Sequence, residues 1–488
     1  MKPQKTLQFF LSVFLLLLVV LLYFPEDGIR VTDNFSLKFP TAKDFFSQDT
    51  IEYADISDII DQSEEFGDTL LLALEEDYGE IGFDTVRANA QLLKKQIHHM
   101  EFPKGERSLL KPFFRSIAAL PKNNKHIRIM HYGDSQIESD RMTAFIRNKL
   151  QRQFGGSGPG LISAVQPYDW QYSIKQTNLG DWHRHTLYGN RDTTIMHSRY
   201  GALASFSQFT PYMPDSIQPD TATYEASILL EEAIQSYRSV RDIEKCELFL
   251  GNIRTPLMVE FYAENELIDA DVIPTQKGLK VLSWTMDSAV RNLEIRFSSS
   301  HSPEIYGIAL DSETGLAMDN IALRGSSGLE FTKTNRELLK AMYKKLNPKL
   351  LILQFGGNVV PYIRNHAIYQ RWFSNQLSLL HEILPNVPII VIGPADMSVK
   401  EGNKYITHPN LVKVRDALKK AALESGAGYW DMFEAMGGVN SMPSWVFAQP
   451  SLASTDFVHF NYRGARIVAE MFYNALMYEY NEYVKGVN

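Results

Sequence analysis

The chain has 488 residues, of which 44% are apolar, 22% charged and 12% aromatic, which excludes a disordered, collagen-like or low-complexity protein. The formal charge is −8, from 49 Lys+Arg against 57 Asp+Glu, so there is no bulk basic footprint and no nucleic-acid partner is expected. Cys246 is the single cysteine, which excludes an internal disulfide framework and a thiolate zinc cluster. In its strand-like run it reads as a small buried hydrophobe.

Leu7 to Phe24 carry no charge and are nearly all Leu, Val and Phe. Lys2 and Lys5 precede the run; Pro25, Glu26 and Asp27 follow it. Such a run just spans a bilayer. The basic flank predicts a cytoplasmic N-terminus and an exported body. Leu22-Tyr23-Phe24-Pro25 is too bulky for signal cleavage, so an uncleaved anchor is favoured over secretion after cleavage. The expectation is a single-pass protein of a bacterial inner membrane that faces the periplasm.

Residues 25 to about 80 are acidic and irregular, with Asp55, Asp58, Asp61, Glu64 and Glu65, and read as a stalk. Residues 84–120 have helical spacing, with Phe113, Phe114, Ile117 and Leu120 on one side. A strand, Ile127 to Met130, leads into Gly133-Asp134-Ser135. Helical periodicity follows through Ile137, Met142, Phe145, Ile146 and Leu150. The loop Gly155 to Gly160 lacks the Gly-Lys-Ser/Thr ending of a phosphate loop and reads as a turn.

From 165 to about 305 strand-like runs dominate: Ala226–Leu230, Cys246–Leu250, Met258–Tyr262, Leu279–Trp284 and Leu293–Phe297. They predict an all-β sandwich. Its early part holds Trp170, Tyr172, Trp182, Tyr188 and Tyr200, which read first as core and second as a sugar-stacking surface.

After 305 the pattern is α/β. Strands are expected at Tyr306–Leu310, Asn320–Leu323, Leu350–Phe355, Ile389–Ile392 and near Tyr429–Met432. Thr334-Asn335-Arg336-Glu337 has the form of a capping box that opens a helix to Leu346. Further helices are expected near 367–383, over 410–424, and from Arg463 to Tyr478. The alternation predicts a parallel sheet with helices on both faces. The division is an anchor (1–30), a stalk and helical region (31–120), an α/β domain in two parts (121–164 and 305–488), and a β-rich insertion (165–304).

Ser135 sits at a strand-to-helix turn, where the helix N-terminus offers free N–H groups. Ser135-Gln136-Ile137-Glu138 is also a capping box, so a plain cap competes with a nucleophile. A serine hydroxyl needs a base. Of 12 histidines, only His459 has an Asp three residues before it, in Asp456-Phe457-Val458-His459. That spacing sets a carboxylate beside one ring nitrogen. Asn358, after Gly356-Gly357, and Gly325, after Arg324, fall at strand ends where they can face an oxyanion. Each alone reads as turn chemistry. Trp445 and Phe447 border either a pocket or the core.

With these four blocks in order, the sequence resembles the SGNH, or GDSL, hydrolase family. Gly133-Asp134-Ser135 matches the serine block, Gly325 the glycine, Asn358 the asparagine, and Asp456 to His459 the last block. The resemblance covers roughly 120–160 and 305–480. It implies a flavodoxin-like three-layer fold. Ser135 is then the nucleophile, His459 the base and Asp456 its orienting partner. The oxyanion hole is Ser135 N–H, Gly325 N–H and the Asn358 side chain. The inserted β region resembles that of envelope polysaccharide and peptidoglycan O-acetylesterases. The expected activity is removal of a small acyl group, acetyl first, from an envelope glycan, with no metal and no organic cofactor. Gly-Asp-Ser-Gln departs from the leucine-bearing form, which counts against a typical lipase. An acyltransferase with the same residues and a non-catalytic glycan-binding or scaffold protein are the alternatives. Oligomeric state is not legible.

Overall fold

The computed structural model describes residues 3–25, 28–32, 35–37, 39, 51–60, 98–168, 170–218 and 221–487. Five segments build its central sheet: β1 (His126–Gly133), β2 (Gly315–Ala322), β3 (Pro348–Gln354), β4 (Ile389–Ile392) and β5 (Gly428–Trp430). They lie in the order 2-1-3-4-5 and all pair in parallel. This is the flavodoxin-like order. β1 to β4 are buried almost throughout because both faces are covered, which removes the alternation of a half-wet strand.

One face packs against α1 (Thr143–Phe154), the helix Lys111–Ala119 and the closing helix, Tyr462–Val487. The other face packs against α2 (Arg336–Leu346), α3 (His366–Ile383) and α4 (Leu411–Glu424). The closing helix is α5. Several boundaries differ from the sequence expectation: β2 starts at Gly315, five residues before the expected Asn320, and α5 runs on past Tyr478 to Val487. The cap of α2 is Asn335, whose side chain accepts from Leu338 N at 2.9 Å, while the Thr334 hydroxyl turns to Ser198 O. The regular helix after Ser135 begins only at Thr143, because residues 135–140 form a kinked 3-10 segment with Ser139 in the left-handed region.

Between β1 and β2 the chain builds a sandwich of two antiparallel sheets, one of five strands and one of six. Its core includes Ile228, Phe261, Ile295 and Phe297 from one sheet and Cys246, Leu248, Trp284 and Ile308 from the other. Phe261 and Trp284 stack across it at 4.4 Å. Cys246 is fully buried there. The strand Glu304–Asp311 belongs to this sandwich and not to the parallel sheet: it pairs antiparallel with Ile243–Ile253 and with Gly160–Ile162. Its outer side chains, Tyr306 and Ala309, join the core under α2, so this strand is buried on both faces.

Buried Arg128 on β1 pairs with Asp311 at the end of that strand and with Asp319 on β2. Asp319 also accepts from Leu161 N at 2.8 Å. The ion cluster thus pins the sandwich to the parallel sheet.

At the N-terminus, Gln4–Tyr23 is one helix whose length and composition suit a membrane span or a signal sequence alike. Residues 51–60, expected in the stalk, lie on the α/β layer: Ile56 is buried and Ser444 Oγ donates to Ala54 O at 2.6 Å. The expected helical spacing over 84–97 and the acidic positions Asp61, Glu64 and Glu65 fall outside the described residues.

Candidate active site

Register fixes where the candidate residues emerge. Gly133, Ala322 and Gln354 lie level across β1, β2 and β3 at their C-terminal ends. Ser135, Gly325 and Asn358 follow within a few residues, so all three leave one sheet edge. This edge flanks the β1/β3 switch point, where ligands bind in open α/β sheets. The last block reaches it from the far side, on the loop before α5.

Ser135 Oγ lies 2.8 Å from His459 Nε2, across 324 residues of sequence. His459 Nδ1 lies 2.7 Å from Asp456 Oδ2. Asp456 Oδ1 accepts from Val458 N at 2.9 Å and His459 N at 3.0 Å. Burial pushes the Asp456 carboxyl up, but the hydrogen bonds from His459 and Val458 outweigh it and hold it below its usual value. It therefore stays an anion beside the imidazole. The tight turn puts Phe457 at φ 58, in the left-handed region, where its ring stacks on Tyr405 at 3.6 Å.

The serine is not the helix cap. Asp134 takes that role, with Oδ1 accepting from Gln136 N at 3.0 Å. The Ser135 hydroxyl is left to the histidine. Glu138, the other half of the expected capping box, instead pairs with Arg324 and, at 3.6 Å, with Arg141.

Three residues to which sequence reasoning gave no part in the site hold this geometry. Gln136 Nε2 donates to Val458 O at 2.7 Å, and Gln136 Oε1 accepts from Phe460 N at 3.5 Å. Arg141 Nη1 donates to Phe460 O at 3.1 Å. Glu138 ties Arg324, the neighbour of Gly325, to the serine segment. The only sequence signal was their nearness to Ser135; their partners lie some 180 to 320 residues away.

Gly325 has φ 77, which favours glycine, and a Cβ there would meet nothing within 4 Å. The backbone is therefore open on the side where a side chain would stand. Asn358 Nδ2 donates to Ser326 O at 3.1 Å, which joins the β2 and β3 loops and leaves one amide hydrogen for another acceptor. An imidazole in contact with a hydroxyl, a carboxylate behind it and N–H groups at one edge form the arrangement that activates a serine and receives an oxyanion.

The aromatic candidates divide. Tyr188 and Tyr200 are buried, and Trp182 packs on Phe209 and Phe297 in the sandwich. Trp445 is fully buried, whereas Phe447 is exposed and meets Phe457. Trp170 is 46% exposed and packs on Tyr172 and on Tyr462, the first residue of α5. The Gly155–Gly160 loop is a turn: Gly155 O accepts from Leu316 N at 2.9 Å and the backbone packs on β2.

No family model matches the chain, and no curated protein matches it by sequence. Among solved structures, a peptidoglycan O-acetylesterase superposes with a TM-score of 0.60 at 18% identity, over 76% of this chain and 96% of that one. A family two carbohydrate esterase from Cellvibrio japonicus aligns over 63% of this chain and 99% of that one, at 6% identity and a TM-score of 0.25, too low to argue from. Sheet order, the four blocks at one edge and the superposition over 76% of the chain agree: the chain has the fold of an SGNH, or GDSL, hydrolase.

Proposed function

We propose that the chain is a membrane-anchored serine esterase that removes a small acyl group, acetyl first, from a cell-envelope glycan through an acyl-enzyme. The observation that carries this reading is the contact of Ser135 Oγ with His459 Nε2 at 2.8 Å, backed by Asp456 at 2.7 Å. Ser135 attacks the ester carbonyl while His459 Nε2 takes its proton. Asp456 keeps Nδ1 protonated and stabilises the imidazolium. The oxyanion meets Ser135 N–H, Gly325 N–H and Asn358 Nδ2. The imidazolium protonates the departing sugar oxygen. Water, deprotonated by His459, then releases the acyl group and restores the serine. The fold shared with a peptidoglycan O-acetylesterase supports a glycan ester as substrate. The apolar helix Gln4–Tyr23, with Lys2 and Lys5 at its start, supports an anchor with the body in the periplasm.

The test is covalent labelling with a fluorophosphonate, followed by mass-spectrometric mapping. The expected adduct is on Ser135 and is lost in Ser135→Ala and His459→Ala. A folded protein that takes no label, with a probe small enough to enter, sinks the hydrolase reading.

A further inference from the structure

The loop that leaves the first part of the α/β domain carries Tyr168 and Trp170, and both touch residues next to the candidate catalytic blocks. Tyr168 Oη donates to Ala322 O at 3.2 Å, and the Arg324 guanidinium lies 5.5 Å from its ring centre. Trp170 meets Tyr462 edge to face at 5.3 Å, three residues beyond His459. The same two rings border a groove of about 460 Å³ on the sandwich, lined further by Gln166, Gln176, Glu231 and Asn292.

The groove wall is a ladder of side-chain amides. Gln171 donates to Gln166 Oε1, Gln166 Nε2 to Gln176 Oε1 at 2.8 Å, and Gln176 Nε2 to Ala164 O at 2.7 Å. The ladder fixes how the amides point. Gln166 keeps an N–H and a lone pair beyond these bonds. Charge at the groove is Lys175, paired with Glu231 at 2.7 Å, and Glu232. It holds no surplus cation to attract a polyanion. A half-exposed indole beside pre-oriented neutral amides suits a ligand with an apolar face and hydroxyl edges, which is a pyranose.

We propose that this groove is a non-reacting subsite for a neutral glycan strand. Trp170 stacks on one pyranose, the Gln166–Gln176 ladder binds its hydroxyls, and the strand continues past Tyr168 to the ester at Ser135. The proposal rests on the glycan-ester reading and adds where the polymer is gripped.

The test uses the full chain in detergent carrying Ser135→Ala, so that no turnover is needed. Calorimetric titration with hexa-N-acetylchitohexaose and with xylohexaose asks which kind of strand binds. Binding of at least one hexasaccharide is expected. Trp170→Ala weakens it tenfold or more, and Trp170→Phe restores part of the loss. Gln166→Ala gives a second, independent loss if Trp170→Ala unfolds. Unchanged binding in a folded Trp170→Ala chain overturns the proposal, as does the absence of binding to either hexasaccharide. Phosphonate labelling of Ser135 in the unsubstituted chain, with neither strand bound by the Ser135→Ala chain, rejects the groove and keeps the hydrolase. Trp170-dependent binding without labelling keeps the groove and rejects the hydrolase.

Discussion

Gln136 holds the chain on both sides of His459, as donor to Val458 O at 2.7 Å and acceptor from Phe460 N at 3.5 Å. The residue beside the serine thereby sets where the imidazole stands. Gln136→Ala removes both bonds and leaves every reacting group in place. Loss of sub-ångström positioning costs on the order of 10²-fold in rate. The expectation is that fall in kcat with KM little changed, read by steady-state kinetics on a small acetyl ester. A fall in stability with normal kcat counts against the positioning role.

Asp456 stays ionised because three hydrogen bonds outweigh its burial. Asp456→Asn keeps the shape but favours the wrong imidazole tautomer. The expected loss in kcat is on the order of 10³-fold or more. The phosphonate labelling rate falls in parallel if the defect lies in serine activation, and stays normal if Asp456 serves only the turn.

Asn358 links the two loops and offers a second amide hydrogen at the open edge. Loss of one oxyanion donor costs about 10²- to 10³-fold in kcat. Asn358→Ala is expected in that range with KM nearly unchanged. A change in KM alone would recast Asn358 as a loop tie.

Burial pushes the Asp134 carboxyl up from 3.8 to about 6. A carboxyl raised in this way binds its proton more readily folded than unfolded. It therefore costs no stability below about pH 4, and the cost grows as pH rises through 6. The shift corresponds to about 3 kcal/mol at neutral pH. Asp134→Asn keeps an acceptor for Gln136 N, so the variant is expected to melt higher than wild type at pH 7.5. The gap closes near pH 4. Equal melting curves at pH 7.5 would contradict it.

Buried Arg128 faces two carboxylates, Asp311 and Asp319. Removing one partner of such a cluster costs roughly 3–5 kcal/mol. Arg128→Met is expected to destabilise by that order in urea unfolding, and Arg128→Met with Asp311→Leu and Asp319→Leu to recover most of it.

Much of the candidate site's geometry was legible because it is local. Gly133-Asp134-Ser135 and Asp456 to His459 each hold their geometry within a few residues. Their supports were hidden, because Gln136, Arg141 and Glu138 act through contacts no spacing reveals. Ser135 also shows that a capping-box pattern does not make a cap: Asp134 accepts from Gln136 N, and the serine hydroxyl faces His459. The strand Glu304–Asp311 was misplaced for a physical reason. It is buried along its whole length, between the sandwich core and α2, so it loses the period of two that marks an antiparallel strand. A run apolar on both faces then reads as a parallel strand.

That strand passes into β2 after only three residues, and Arg128 locks the junction. Such a joint ties the sandwich closely to the sheet. On the proposed reading, a glycan gripped on the sandwich sits at a constant offset from Ser135, as against a ruler. The expected product is not a random one: residual acyl groups on a partly digested strand recur at a set spacing, counted in sugar units.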